Sequence, residues 1–359
     1  MFFLIGCNTD KKISVDIKND IVTPKTYVVY KADNAIIIDG KADESDWESA
    51  NFTDEFIDIE GVKTPNQTTK VKMLWDENYL YVYAKLDEKH IWGDITKRDA
   101  VIFYNNDFEV FISPSNDTHN YGEIEVNALN TVWDLVLNKP YNVGGKPKNS
   151  WNLDNLKSAI FIKGTLNNST DIDEFWSVEM AIPLAAFAEL KNSPKTKPKD
   201  GEQWRINFSR VQWNHDIIDG KYSRKKENGK FLREYNWVWS NQKAINMHLP
   251  ENWGYIHFSD NNATSKIEFK HQTGVLTEQV TYALYRKIAF KKLKYLKQEK
   301  VGFLTQFEPI KIGNETINAS FLKTHTGFTL QTKNTKKNIV YSINETGLMQ
   351  RKKINNSKK

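Results

Sequence analysis

Acidic, amide and aromatic residues alternate along one short stretch of the chain in a pattern that suits a polar ligand. In Glu123-Ile124-Glu125-Val126-Asn127 the side chains of a strand point to opposite faces in turn. Glu123, Glu125 and Asn127 then share one face, about 6.7 Å between successive members, while Ile124, Val126 and Ala128 turn to a core. The stretch Asp107–Ile112 sets Glu109 among apolar residues, and the stretch that follows carries Trp133 and Asp134. Pairing of these strands gathers Glu109, Glu123, Glu125, Asn127 and an indole on one sheet face. Carboxylates accept from hydroxyls two at a time and an indole stacks on C–H faces, which is the chemistry of sugar binding. The plain alternative is a solvated outer face. A carboxylate pair ~5–9 Å apart is also what glycoside hydrolysis needs, and Glu109 with Glu125 or Glu123 supplies one, so a glycoside hydrolase or polysaccharide lyase on the same face is the alternative. An exposed pair lacks the raised pKa of a general acid, so binding is expected over catalysis.

The loop Asn116-Asp117-Thr118-His119-Asn120-Tyr121 collects oxygen donors around one imidazole. Ca²⁺ takes six to eight oxygens, so a structural calcium is expected at Asn116 and Asp117. Zinc is not, because no second His or Cys stands at ligand spacing. The chain has no Gly-rich phosphate loop, nucleophile elbow or Cys–His pair.

The elements that would position these residues are mostly strands. Short branched and aromatic runs are divided by Asp, Asn, Gly and Pro from Tyr27 to Phe258. Val71 to Trp75 and Tyr79 to Ala84 flank Asp76-Glu77-Asn78 and read as a hairpin. Further strands are expected at Ala35–Ile38, Asp107–Ile112, Glu123–Asn127, Val132–Leu137, Ala159–Lys163, Trp176–Ile182, Arg205–Trp213, Trp237–Trp239 and Gly254–Phe258, with helical turns at Ser45–Ala50 and Pro183–Glu189. Roughly ten strands with little helix predict a mainly β chain, an antiparallel β-sandwich. From Glu278 to Lys300 a helix is expected, with Tyr282, Tyr285, Ala289, Leu293 and Leu296 on one face. Its other face carries Arg286, Lys287, Lys291, Lys294 and Lys297, read as solvated or docked on acidic surface rather than as a nucleic-acid or membrane contact. Four β-runs follow, making a helix-plus-β-hairpins appendage.

Charge divides the chain at the same place. Residues 1–259 hold 31 Lys+Arg against 38 Asp+Glu, and residues 260–359 hold 19 against 7. All eleven Trp lie in the acidic part. The expected domains are a signal and linker at 1–26, a sandwich at 27–259 and a basic appendage at 260–359. A further alternative makes the sandwich a scaffold and the basic appendage the surface for an envelope protein partner. The single cysteine, Cys7, excludes an internal disulfide. It ends Leu4-Ile5-Gly6-Cys7 and precedes a polar stretch from Asn8 to Asn19. That run resembles a bacterial lipobox whose signal is clipped, so lipidation of Cys7 is expected, with a two-chain anchor as the sole membrane contact. The expected location is the outer membrane, periplasm or cell surface of a Gram-negative bacterium.

Three runs carry a family resemblance: Ile38-Asp39-Gly40-Lys41-Ala42-Asp43-Glu44-Ser45-Asp46-Trp47, then Val71 through Val82, then Asn106-Asp107-Phe108-Glu109-Val110-Phe111-Ile112. Together with Asn120–Leu137 and Asn236–Gly254 they resemble the family 9 carbohydrate-binding modules, over about Ala32 to Ser259. The resemblance implies a β-sandwich that grips a sugar, often with structural calcium. The family's acid falls on Glu109, its first sandwiching Trp on Tyr104, its second near Met247, and a sugar-contacting arginine on Glu125. The two-Trp clamp is therefore not reproduced. The expected function is non-catalytic binding of an oligo- or polysaccharide in polysaccharide uptake or breakdown. The expected site is Tyr104, Glu109, Glu125, Asn127 and Trp133, with His119, Arg210, Trp239 and His248 as neighbours.

Overall fold

A computed structural model describes residues 12–115 and 117–354. The chain forms two compact units, residues 24–269 and residues 1–23 with 270–359. The first is a β-sandwich. Its main strands are β1 (Thr26–Lys31), β2 (Thr69–Trp75), β3 (Tyr79–Asp87), β4 (Asp107–Ser113), β5 (Tyr121–Asn127), β6 (Val132–Leu137), β7 (Lys157–Lys163), β8 (Phe175–Pro183), β9 (Gln203–Gln212), β10 (Tyr235–Val238) and β11 (Gly254–Ser259). Hydrogen bonding runs β6-β5-β4-β9-β11-β1-β2-β3-β8-β7, and β10 pairs with β9 and with Ile57–Asp58. Pairing is antiparallel except at β1, which lies parallel to both β11 and β2.

Alternation fixes which residues fill the interior. Phe108, Val110 and Ile112 of β4 and Ile124 and Val126 of β5 meet Val71, Met73 and Trp75 of β2, Val82 of β3 and Val178 and Met180 of β8 in one core. Each fully buried aliphatic side chain contributes about 1.5–3 kcal/mol. A slip of one residue in β4 or β5 would exchange this apolar set for the acidic one, so the register is strongly specified.

The motif Asp39-Gly40…Trp47 is a latch. Glu179 of β8 is fully buried and accepts from the backbone N–H groups of Asp39 and Gly40, each at 3.0 Å, and from Trp47 Nε1 at 2.9 Å. Gly40 has φ 89° and its position faces the backbone of Phe161, so a side chain fits neither the torsion nor the space. Ala35–Ile38, expected as a strand, joins no sheet. Its Ile37 N–H is taken by the Glu44 carboxylate instead, and Ile37 is exposed. The hairpin turn is held by Asp76, which accepts from the N–H groups of Asn78 and Tyr79 and from the Tyr81 hydroxyl, all at 2.7 Å. The sandwich unit runs past Ser259 to Phe269, because Ala263 and Ile267 pack beside Tyr30 and the Ile267 N–H donates to the Tyr30 hydroxyl.

In the second unit a helix, Val275–Ala289, covers a sheet built from β12 (Leu304–Gln306), β13 (Ile310–Ile312), β14 (Glu315–Lys323), β15 (Phe328–Asn334), β16 (Ile339–Asn344) and β17 (Met349–Lys353). Tyr282, Tyr285, Ala289, Leu293 and Leu296 are all buried in its core. The helix stops at Ala289, however, and Lys294–Gln298 is a separate 3-10 turn. The apolar face continues across that break because Leu293 and Leu296 still turn inward. The polar tether expected from Asn8 to Asn19 is, over its described residues, part of this unit. Ile17 is buried in the core, Ile13 bridges to Phe307, and Asp20 pairs with Lys287 and Lys291 while its carbonyl accepts from Arg286. Part of the basic face is thus neutralised by the unit's own N-terminal segment. Cys7 lies outside the described residues.

Candidate functional site

Adjacent strands bring the expected acids together. Glu109 of β4 stands directly opposite Glu125 of β5, and Glu125 opposite Trp133 of β6. Sequence reasoning weighed a sugar-binding face against a solvated one and took the carboxylate pair as exposed. The face is covered: Asp107, Glu109, Glu123 and Glu125 are all buried. Residues from the Glu234–Asn236 segment and from Ile245–His248 lie over it, together with Tyr141, and leave a cleft of about 300 Å³. Glu109, Glu123, Glu125, Trp133, Tyr141 and His248 line that cleft, with Phe103, Phe111, Glu234 and Met247 completing it.

The electrostatics of this cleft are one-sided. Among the described residues, four glutamates line it and no Lys or Arg does. Its imidazole is no cation either: burial pushes His248 down to about 4. The ring is held by the Tyr121 hydroxyl at 2.9 Å from Nδ1 and by an edge contact with Tyr141 at 4.5 Å between centroids. Burial raises Glu109 to about 7, and the charge of Glu234 adds to the rise. Asp107, Glu123 and Glu125 are pushed well above the carboxylate range, first by burial and then by one another's and Glu109's charges. Hydrogen bonds offset this only in part: Ser209 lowers Glu109, and Glu125 lowers Glu123. Glu125 Oε2 accepts from the Phe103 N–H at 3.1 Å and Asp107 Oδ1 from the Val211 N–H at 3.3 Å. Asp107 Oδ2, Glu123 Oε2 and, on the donor side, Trp133 Nε1 are buried without a hydrogen-bond partner. Among the described residues, Asp107, Glu109 and Glu125 each turn an oxygen to one point, the three within 4.8 Å of one another.

The remaining expected residues are elsewhere or otherwise engaged. Asn127 is consumed by the fold: its amide donates to the Ile95 carbonyl and Asn105, and its oxygen accepts from Leu129 and Thr131. Arg210 is fully buried, paired with Glu88 at 2.8 Å and bonded to Gln67, Thr69 and Gln212. Trp239 is a core residue, packed against Phe208 and against Gly254, where a side chain would strike its ring. His119 is buried beside Thr118, depressed to about 4 by burial, and does not line the cleft. Asp117 accepts from the His119 N–H at 2.9 Å, closing a local turn; Asn116 lies outside the described residues. Tyr104 lines a second cavity of about 500 Å³ with Trp92, Tyr222 and Phe231. There the Arg224 guanidinium already sits over the Tyr104 ring at 4.5 Å and over Phe231 at 4.1 Å. Tyr141 and Glu234 were missed because one sits in a short 3-10 turn and the other in a loop, and neither approach to the sheet leaves a periodic trace.

A family model described as carbohydrate family 9 binding domain-like matches residues 38–254. No curated protein matches the chain. Among solved structures the chain is similar to a carbohydrate binding module family 9 from Caldicellulosiruptor kristjanssonii in complex with cellotriose, at 14% identity and TM-score 0.43, over 69% of this chain and 100% of that one. The same module in complex with glucose gives 14% identity and TM-score 0.42, over 68% and 100%. A candidate carbohydrate-binding protein from Bacteroides uniformis ATCC 8492 gives 17% identity and TM-score 0.46, over 66% and 100%.

Proposed function

The chain belongs to the carbohydrate family 9 binding domain-like family, and from that premise we propose that it binds a glycan, without catalysis, in the cleft over β4, β5 and β6. The observation that carries the reading is the lining of that cleft, where Trp133, Tyr141 and His248 supply ring surfaces beside Glu109, Glu123 and Glu125. Rings take the C–H faces of a pyranose, and carboxyl oxygens take its hydroxyls. A cleft of this size holds one or two sugar rings, so micromolar or softer affinity is expected. The family's arginine is absent at Glu125 and its clamp residue at Tyr104 belongs to another cavity, so Trp133 and Tyr141 serve here as platforms. The reading extends to a place on the cell envelope, through lipidation of Cys7, and to service in polysaccharide utilisation.

Glycoside hydrolysis is the rival reading, favoured by the burial of Glu109 and its rise to about 7. Hydrolysis by a carboxylate pair needs environments that push the two pKa values apart. Here burial drives all four acids in the same direction. Calorimetry of the full chain against a panel of plant and algal oligosaccharides tests the proposal. Binding that weakens about tenfold in Trp133→Ala, the scale of one lost stacking contact, supports it. A panel without a ligand sinks it, and reducing-sugar release abolished by Glu109→Gln replaces it with the hydrolase. Labelling with an alkyne fatty acid in the native host, lost in Cys7→Ser, tests the anchor.

A further inference from the structure

Buried carboxylates are retained when they are hydrogen-bonded, paired with a cation or bound to a metal. The cluster at the floor of the cleft has little of the first and none of the second among its lining residues. Asp107 has no solvent exposure, Glu125 2% and Glu109 5%, yet their oxygens converge within 4.8 Å of one another. A Ca²⁺ ion with ligands at about 2.3–2.6 Å spans such a separation across its diameter. Two buried oxygens of the cluster, Asp107 Oδ2 and Glu123 Oε2, have no protein partner, and Glu123, 5% exposed, stands beside Glu125 on the same strand face.

We propose that Asp107, Glu109 and Glu125 bind one divalent cation of the calcium class at the floor of the cleft. The donor set is all oxygen, which selects a hard cation over zinc or copper. Depth selects a bare ion over a cationic sugar. Asp107 lies beneath the cleft lining and is closed to a pyranose-sized group, whereas Glu109, Glu123 and Glu125 reach the lining itself. The ion takes one or two carboxylate oxygens from each ligand. It completes its coordination from the cleft side, by water or by ligand hydroxyls, and converts a repulsive acidic floor into one that accepts neutral polar groups. Binding of the ion requires no glycan.

The test uses the full chain, stripped with a chelator and titrated with CaCl₂ by calorimetry and by thermal unfolding. A single calcium-binding event and a calcium-dependent rise in Tm are expected, both without sugar. Asp107→Asn and Glu125→Gln each weaken calcium binding about tenfold or more, since affinity follows the charge count of the ligands, and leave the calcium-free Tm unchanged or higher. The two isosteric variants are independent, so one that folds poorly leaves the other as evidence. No heat and no Tm response in the unaltered chain overturns the assignment. So does a response that survives in both variants, or one lost in Asp117→Asn and kept in Asp107→Asn, which moves the ion to the loop before β5. A chain that binds calcium but no glycan leaves the cation site standing and removes the glycan reading.

Discussion

Two sets of buried acids in the same sandwich have opposite surroundings. Glu179 receives three N–H groups, from Asp39, Gly40 and Trp47, and Glu88 receives the Arg210 guanidinium inside a shell of Gln67, Thr69 and Gln212. Asp107, Glu109, Glu123 and Glu125 crowd onto adjacent strands with two backbone donors between them and bare oxygens left over. Burial alone therefore does not mark a site, since all these groups are buried. What separates them is whether the protein itself completes their bonding. Where it does, the acid is a structural latch. Where it does not, acceptor oxygens are left without a protein partner.

The comparison breaks most violently at Arg210. Arg210→Ala strands Glu88 as a buried, uncompensated charge and is expected to lower the unfolding free energy by about 3–5 kcal/mol, read from urea denaturation. Glu179→Gln comes next. It replaces one acceptor oxygen by an NH₂ group that faces N–H donors, for a loss of about 2–4 kcal/mol by the same measurement. The identical change in the open cluster sharpens the contrast by reversing sign. Glu123→Gln removes an acid that burial, and then the charge of Glu109, holds well above its ordinary range, and is expected to raise stability at pH 8, in calcium-free buffer, by about 1 kcal/mol, the value of one pKa unit of that cost. A loss of the Glu179 size in Glu123→Gln would show that the two sets do not differ in kind.

The smallest effect concerns the imidazole above the cluster. His248 is about 4 in the folded chain against about 6.5 when unfolded. Between those values the unfolded state binds the extra proton, so stability falls as pH drops from about 6.5 through 4. His248→Gln should flatten that part of the stability–pH curve; unchanged steepness would place the acid sensitivity elsewhere.

Much of this was legible before any coordinates. Alternation along Glu123–Asn127 assigned its two faces correctly, because a strand has a period of two and Ile124 and Val126 must be covered. Tyr282, Tyr285, Ala289, Leu293 and Leu296 announced a buried face even across a break in the helix, because apolar spacing survives such a break. Arg210, Asn127 and Trp239 misled for a shared reason. A polar or aromatic side chain that satisfies a buried partner has the same sequence signature as one that faces a ligand. The N-terminal stretch misled because the alternation of Ile13, Val15 and Ile17 with polar residues is short and sits in a polar run, although all three pack on the core of the second unit and Ile13 bridges to Phe307.

The sequence by itself determined the sandwich, the hairpin at Asp76 and the shared face of Glu109, Glu125 and Trp133, since these rest on local turn chemistry and on which residues must leave water. Tertiary structure alone decided that this face is roofed by segments from distant parts of the chain, drawing Tyr141, Glu234 and His248 over it. The roof is what turns an ordinary acidic strand face into a desolvated one, because the penalty on a carboxylate depends on how much water its surroundings exclude, and strand periodicity carries no record of that.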